Sequence, residues 1–250
     1  MTTLRRRALV LGLLLLPAAH AQAQTAPDNT VFLNINGGYQ TGSQVFSDAI
    51  PLALYGEQGR TDVHYEVERS GGLVDVSAGV RVWRNLAIGV GVSSASTTSR
   101  ADVTAAAPHP LFFQRPRQAQ ASVEGLEHSA VAVDIQAVWV VRASSRVEVA
   151  LSGGPSFFNI SQGVVTGVTI GEVRAPFDRA AIAGVAVSSL SETATGFNAG
   201  VDITVLWFRH LGLGLLVRYS GASVEVGLSD GPVSVQAGGA QAGAGLRIRF

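Results

Sequence analysis

Eight charged residues interrupt segments that otherwise alternate between apolar and small residues: Asp75, Arg81, Asp134, Glu148, Asp202, Arg218, Arg247 and Arg249. Each falls on the less apolar parity of its segment, so strands would turn all eight to one side. Four acids and four bases on one face favour mutual neutralisation over a general acid–base pair. Asp202 and Arg218 stand symmetrically about Arg209 and His210, so a salt bridge between them is expected. With Asn34, Asn36, Gln136 and Asn198 the set reads as a hydrogen-bonded plug, or else as the lining of a gated path for small ions. The plug is favoured, because paired charges obstruct a narrow interior more readily than they line it.

No other constellation points to catalysis. Beyond the first 23 residues the histidines are His64, His109, His128 and His210. Asp62 and His64 share a strand parity, which would hold an acid beside a base, but no serine motif accompanies them and no catalytic set is assigned. Cysteine is absent, which removes disulfides, thiolate ligands and a thiol nucleophile. No histidine or carboxylate spacing suits a metal, and the pairs Gly37-Gly38, Gly71-Gly72 and Gly153-Gly154 lack the context of a phosphate loop. No metal and no cofactor are expected. A separate feature is the sequence from Pro108 to Arg117, where Leu111, Phe112 and Phe113 lie among Pro108, Pro110 and Pro116 and precede Arg115 and Arg117. Apolar groups beside guanidinium groups suit contact with a protein, another cell or a lipopolysaccharide phosphate. The favoured alternative folds Phe112 and Phe113 inward over the mouth and leaves Arg115 and Arg117 solvated.

The elements that must position these residues are strands. The last one shows the pattern most cleanly: Ala240, Ala242, Ala244, Leu246, Ile248 and Phe250 alternate with Gln241, Gly243, Gly245, Arg247 and Arg249. The same two-residue period runs from Val31 to Gln40, Val74 to Val82, Leu86 to Ser93, Val131 to Trp139, Val147 to Ser152, Phe197 to Trp207 and Leu211 to Ser220, which makes eight strands. Connections at Arg84–Asn85, Ala143–Ser145 and Arg209–His210 are tight. Those at 41–72, 94–129 and 160–195 are long, and a shorter one lies near 227–232. Alternation persists inside the long connections, at Val63, Tyr65 and Val67 for example, so the strands are expected to project as a sheet with tips near 50–58, 107–116, 175–180 and 229–231. Trp207 and Phe197 share the apolar parity ten residues apart. At ~3.3 Å per residue and ~45° tilt that is roughly 23 Å, close to the ~25 Å between the aromatic girdles of a membrane barrel. Trp83 falls on the opposite parity and is expected to plug the short-turn end.

At the other end of the chain, Arg5, Arg6 and Arg7 precede an apolar run from Ala8 to Leu16 and a small-residue stretch, which reads as a secretory signal over 1–23. Removing it leaves 24–250 as one domain with 15 Arg against 18 acids, a charge of −3 that gives no footprint for nucleic acid. Only 14% of the residues are charged, which is low for a secreted soluble domain. The signal, the eight strands, the tight turns and the closing Phe250 resemble the OmpA/OmpX-type outer-membrane β-barrel domain. The resemblance implies an all-β, eight-stranded antiparallel up-and-down transmembrane barrel with short periplasmic turns and long extracellular loops. It also implies the Gram-negative outer membrane, barrel assembly machinery during biogenesis, contact with outer-membrane lipid including lipopolysaccharide, and a monomer. The expected role is non-enzymatic, structural or adhesin-like through the loops. The alternatives are a narrow channel for ions or small solutes and, third, an outer-membrane hydrolase or acyltransferase.

Overall fold

The computed structural model describes residues 30–250 except 43, 69, 173, 174, 229 and 230. The proposed signal at 1–23 therefore lies outside the described residues, as does most of the tip at 229–231. Ten strands follow in order: β1 Val31–Thr41, β2 Gln44–Leu54, β3 Glu57–Val67, β4 Ser70–Trp83, β5 Leu86–Ala107, β6 Arg117–Arg142, β7 Val147–Glu172, β8 Ala180–Leu206, β9 Leu211–Leu228 and β10 Gly231–Arg249. All pairings are antiparallel. β1 pairs with β4 and with β10, and β5 pairs with β4 and with β6, so β4-β1-β10-β9-β8-β7-β6-β5 is a closed ring of eight strands. Around the ring, residues such as Val76, Val90, Ile135, Leu151, Ile203, Val217 and Leu246 are exposed on the outside. Their in-line neighbours Asp75, Gln136, Thr204, Arg218 and Arg247 are buried within. A barrel with its apolar side chains outward and its charges inward has hydrocarbon as its solvent, and closure leaves no backbone edge there.

Above this band the pattern inverts without a change of parity. Along β5 the inward residues run from Ala87, Gly89, Gly91 and Ser93 to Ala101, Val103 and Ala105, while the outward ones change from Ile88, Val90 and Val92 to Ser96, Arg100 and Asp102. The greasy face thus moves inside where water replaces lipid outside. In β6 the same result needs a parity switch. Gly125, at φ 73°, forms a bulge there, where the β5–β6 register skips a residue between Ser99 and Ala101.

The long connection after β1 is not a loop. It is the hairpin β2–β3, which docks on the upper half of β5 from Arg60↔Ala106 to Val67↔Ser99. This sheet and the upper β7–β8 hairpin enclose an apolar core of Phe46, Ile50, Val63, Tyr65, Val67, Ala101, Val103, Leu126, Val164 and Val165. Phe46 and Tyr65 stack at 4.6 Å, and the Tyr65 hydroxyl accepts the Val165 N–H at 2.8 Å.

Trp83 corrects the expectation made for it. The β4–β5 register shifts between Arg81 and Trp83, so Trp83 stands opposite Leu86, which in turn opposes the outward Trp139. The bulge moves Trp83 to the outer face, where it is 69% exposed. The plug at that end is Phe32, packed against the buried cluster of Ala87, Val138 and Val140.

Burial pushes the Tyr65 phenol up to about 12, partly offset by the hydrogen bond from Val165. The folded value exceeds the ordinary one near 10, so this contribution to stability is complete below about pH 10 and is lost as pH rises toward 12. Tyr65→Phe orphans the Val165 amide at a cost of about 1–3 kcal/mol. Hydrogen exchange is expected to accelerate at Val165 and its core neighbours while the lower barrel strands keep their protection.

Candidate functional site in the lumen and at the loop tips

The strand period delivers the inward charges, and three clusters divide them by height. In the upper part of the band the Arg218 guanidinium joins three strands. Nη2 lies 2.9 Å from Asp75 Oδ2, Nη1 lies 2.9 Å from Asp134 Oδ2, and Nε donates to Gln241 Oε1 at 2.7 Å. Asn36 donates to Asp75 at 2.8 Å, and Ser156 donates to Asp134 at 2.6 Å and accepts from Asn198 at 2.8 Å. Gln136 completes the layer by donating to Asn198 at 3.2 Å.

Below it, Arg247 grips Asp202 with two nitrogens, Nε at 3.0 Å and Nη2 on the other oxygen, and Thr204 donates to the same carboxylate at 2.9 Å. Arg247 is wholly buried. The space it fills is left by Gly214, where a β-carbon would stand 2.4 Å from its Nε. At the short-turn end Glu148 lies between Arg142, at 3.2 Å, and Arg249, at 3.4 Å. Arg249 also donates to Asn34 at 2.9 Å and lies 5.7 Å from the centre of the Phe32 ring. Arg81 lines the same interior and has no ion pair among the described residues. The cavity left among these groups is about 50 Å³, space for roughly four waters at about 10–15 Å³ each.

The expected Asp202–Arg218 bridge is not formed. Gly200 stands opposite Arg218 and Asp202 opposite Leu216, because the turn centres on Arg209 rather than His210. Arg218 instead crosses the lumen to β4 and β6, and Asp202 turns to β10. Gln241, Ser156 and Gly214 belong to the network although sequence reasoning passed over them. Their only signal was inward parity.

The loop tips reverse the favoured expectation for 108–117. Phe112 and Phe113 are 51% and 76% exposed, and Leu111 is exposed beside them. Arg117, expected in solvent, is buried, with Nη1 donating to the Phe177 and Arg179 carbonyls at 3.1 Å and Nη2 to Pro108 at 2.8 Å. The apolar core of the external sheets already closes the mouth, so the phenylalanines have nothing inside to cover. Arg117 serves the carbonyls where two hairpins end, and it drops out of the surface-contact set. His109 Nδ1 accepts the Leu111 and Phe112 N–H groups at 3.1 and 3.2 Å, and Gln114 N–H donates to Glu57 at 2.7 Å, which ties the tip to the β2–β3 turn. Arg115 lies over the Phe112 ring at 5.5 Å.

On the outer face of the external sheet Asp62 pairs with Arg60 at 2.6 Å rather than with His64, which bonds Ser47 at 3.0 Å. Asp102, opposite His64, is held below the usual carboxylate range by the Ser122 hydroxyl and then by Arg100. These side chains are exposed and saturated by one another, an arrangement that suits a solvated face.

Arg218→Leu is expected to strand two buried carboxylates and to destabilise the barrel by about 3–5 kcal/mol. Adding Asp75→Asn and Asp134→Asn should restore most of the loss. The check is urea unfolding in detergent micelles, followed by heat-dependent gel mobility.

No family model and no curated protein matches the chain. Among solved structures it is similar to OprG from Pseudomonas aeruginosa at 10% identity, over 90% of this chain and 98% of that one, with a TM-score of 0.45. It is similar to the outer-membrane protease OmpT from Escherichia coli at 10% identity, over 92% and 99%, with a TM-score of 0.48. Neisserial surface protein A matches at 14% identity, over 88% and 97%, with a TM-score of 0.41. At such scores the assignment of the fold rests on this chain's own strand pairings, which close an eight-stranded barrel.

Proposed function

We propose that this chain is a non-enzymatic barrel of the Gram-negative outer membrane that acts through its external tips and does not conduct. One observation carries the reading: a buried apolar core stands above the barrel, while Leu111, Phe112 and Phe113 are exposed on the far side of that core. A strand rising ~3.3 Å per residue at ~45° tilt lifts Ala107 roughly 35 Å above Val92. The tip therefore stands clear of the membrane that holds the barrel, where it would meet another surface. Large apolar side chains held rigid beside an arginine suit a contact patch better than a soluble loop. Inside, the buried Arg218 layer and Phe32 favour a plug over a path.

Single-channel recording in a planar bilayer tests the closed lumen. The folded protein is expected to stay silent, and discrete openings in the unmodified chain would replace this reading with the channel. For the tip, the triple variant Leu111→Ser, Phe112→Ser, Phe113→Ser is expected to fold normally. At equal surface display it should lower retention of displaying cells on polystyrene several-fold; unchanged retention would remove the tip from the proposal.

A further inference from the structure

The end of the barrel opposite the sandwich carries a second built feature. β7 pairs with both β6 and β8, which sets the turn after Arg142 beside the turn after Leu206. The Arg146 carbonyl accepts the Leu206 N–H at 2.8 Å and locks the two together. Between them lies an open cavity of about 340 Å³, whose walls include Arg142, Arg146, Arg209, Glu148, Trp207 and Phe208. It is far larger than the space left in the lumen.

The walls differ in chemistry. Three guanidinium groups face one carboxylate, and Glu148 is already engaged by Arg142 and Arg249. Arg146 is exposed and has no ion pair among the described residues, although its turn is ordered by the Ser144 hydroxyl, which accepts the Arg146 and Val147 N–H groups at 3.3 and 3.1 Å. The opposite wall is apolar, with Trp207 and Phe208 both largely exposed. Trp207 follows directly on the outward residue Val205 and the inward Leu206, so the cavity sits where the apolar band ends. Aromatic side chains at that level mark a membrane–water interface, the depth of lipid headgroups.

We propose that this rim cavity binds the phosphate of an anionic membrane lipid, with Arg146 and Arg142 on the phosphate oxygens and the glycerol and first methylenes against Trp207 and Phe208. Guanidinium forks match phosphate oxygens in pairs, and the flanking aromatic rings select a phosphate that carries an apolar tail. The site is independent of what the external tips contact; the membrane reading above enters only in naming the leaflet, the one on the short-turn side.

The test uses the full chain in uncharged maltoside micelles, with Trp83→Phe and Trp139→Phe leaving Trp207 as the sole indole. Dihexanoyl phosphatidylglycerol is titrated while Trp207 fluorescence is read, beside dihexanoyl phosphatidylcholine and inorganic phosphate. Saturable binding of phosphatidylglycerol is expected, weakened about tenfold by Arg146→Gln, partly recovered by Arg146→Lys, and reduced by added salt. Heat-dependent gel mobility confirms that each variant folds, which the exposure of Arg146 favours. Inorganic phosphate binding as tightly as the lipid would overturn the lipid assignment. A response that is not saturable, or that Arg146→Gln leaves unchanged, would overturn the site. Neither result depends on whether the lumen conducts.

Discussion

In the apolar band each strand has a bonded neighbour on both sides, and the ring returns to β1 through β10. Hydrocarbon supplies no water to replace a missing backbone partner, so this closure is the condition under which the rest of the molecule exists. It fixes the side-chain plan as well. With two faces per strand and lipid outside, everything that is not apolar must go in, and an eight-stranded ring leaves an interior only wide enough for side chains. Charges sent there must find one another. Arg218 does so across the lumen, joining strands that are not neighbours in the sheet, and asparagine and glutamine side chains bond further groups of the layer. Replacing the interior by apolar groups would satisfy the same volume, but it would lose the contrast between faces that orients each strand in the membrane.

Beyond the band the same strands serve a different solvent. Water lies on the outside there, so the apolar face of β5 turns inward at the level of Ser94 to Ser96, and the hairpin β2–β3 and the upper β7–β8 hairpin enclose a second, apolar core. One length of chain thus builds two interiors of opposite chemistry, polar below and apolar above. The junction has a structural cost: β6 needs the Gly125 bulge to bring its upper residues into phase. The upper core also decides the fate of the tips. With the mouth already filled, Phe112 and Phe113 have no inward site, and Arg117 is recruited to bind carbonyls at the ends of two hairpins.

The two ends of the barrel are therefore unlike. One presents an apolar tip held well above the membrane. The other presents an arginine-lined cavity at the level of the aromatic rim, just outside the Phe32 plug. Between them the lumen is occupied by the Arg218 layer, the Arg247–Asp202 pair and Phe32.

How much of this was legible follows from which properties are local. A period of two is written residue by residue, so the sequence by itself determined the eight barrel strands, the inward parity of all eight charged residues, the outward apolar band and the alternation of short and long connections. Partner choice is not local. Which acid meets Arg218 depends on strand stagger and on reach across the closed ring, and a turn centred one residue earlier than expected was enough to separate it from Asp202. Trp83 was misplaced because a bulge changes parity without a marked signal in composition; the hairpin β2–β3 was legible as alternation with a tip near 50–58, but its docking on the edge of β5 was not. Arg117 and Phe113 exchanged their expected positions for the same reason: burial is decided by what already occupies the interior, and only the assembled tertiary structure settles that.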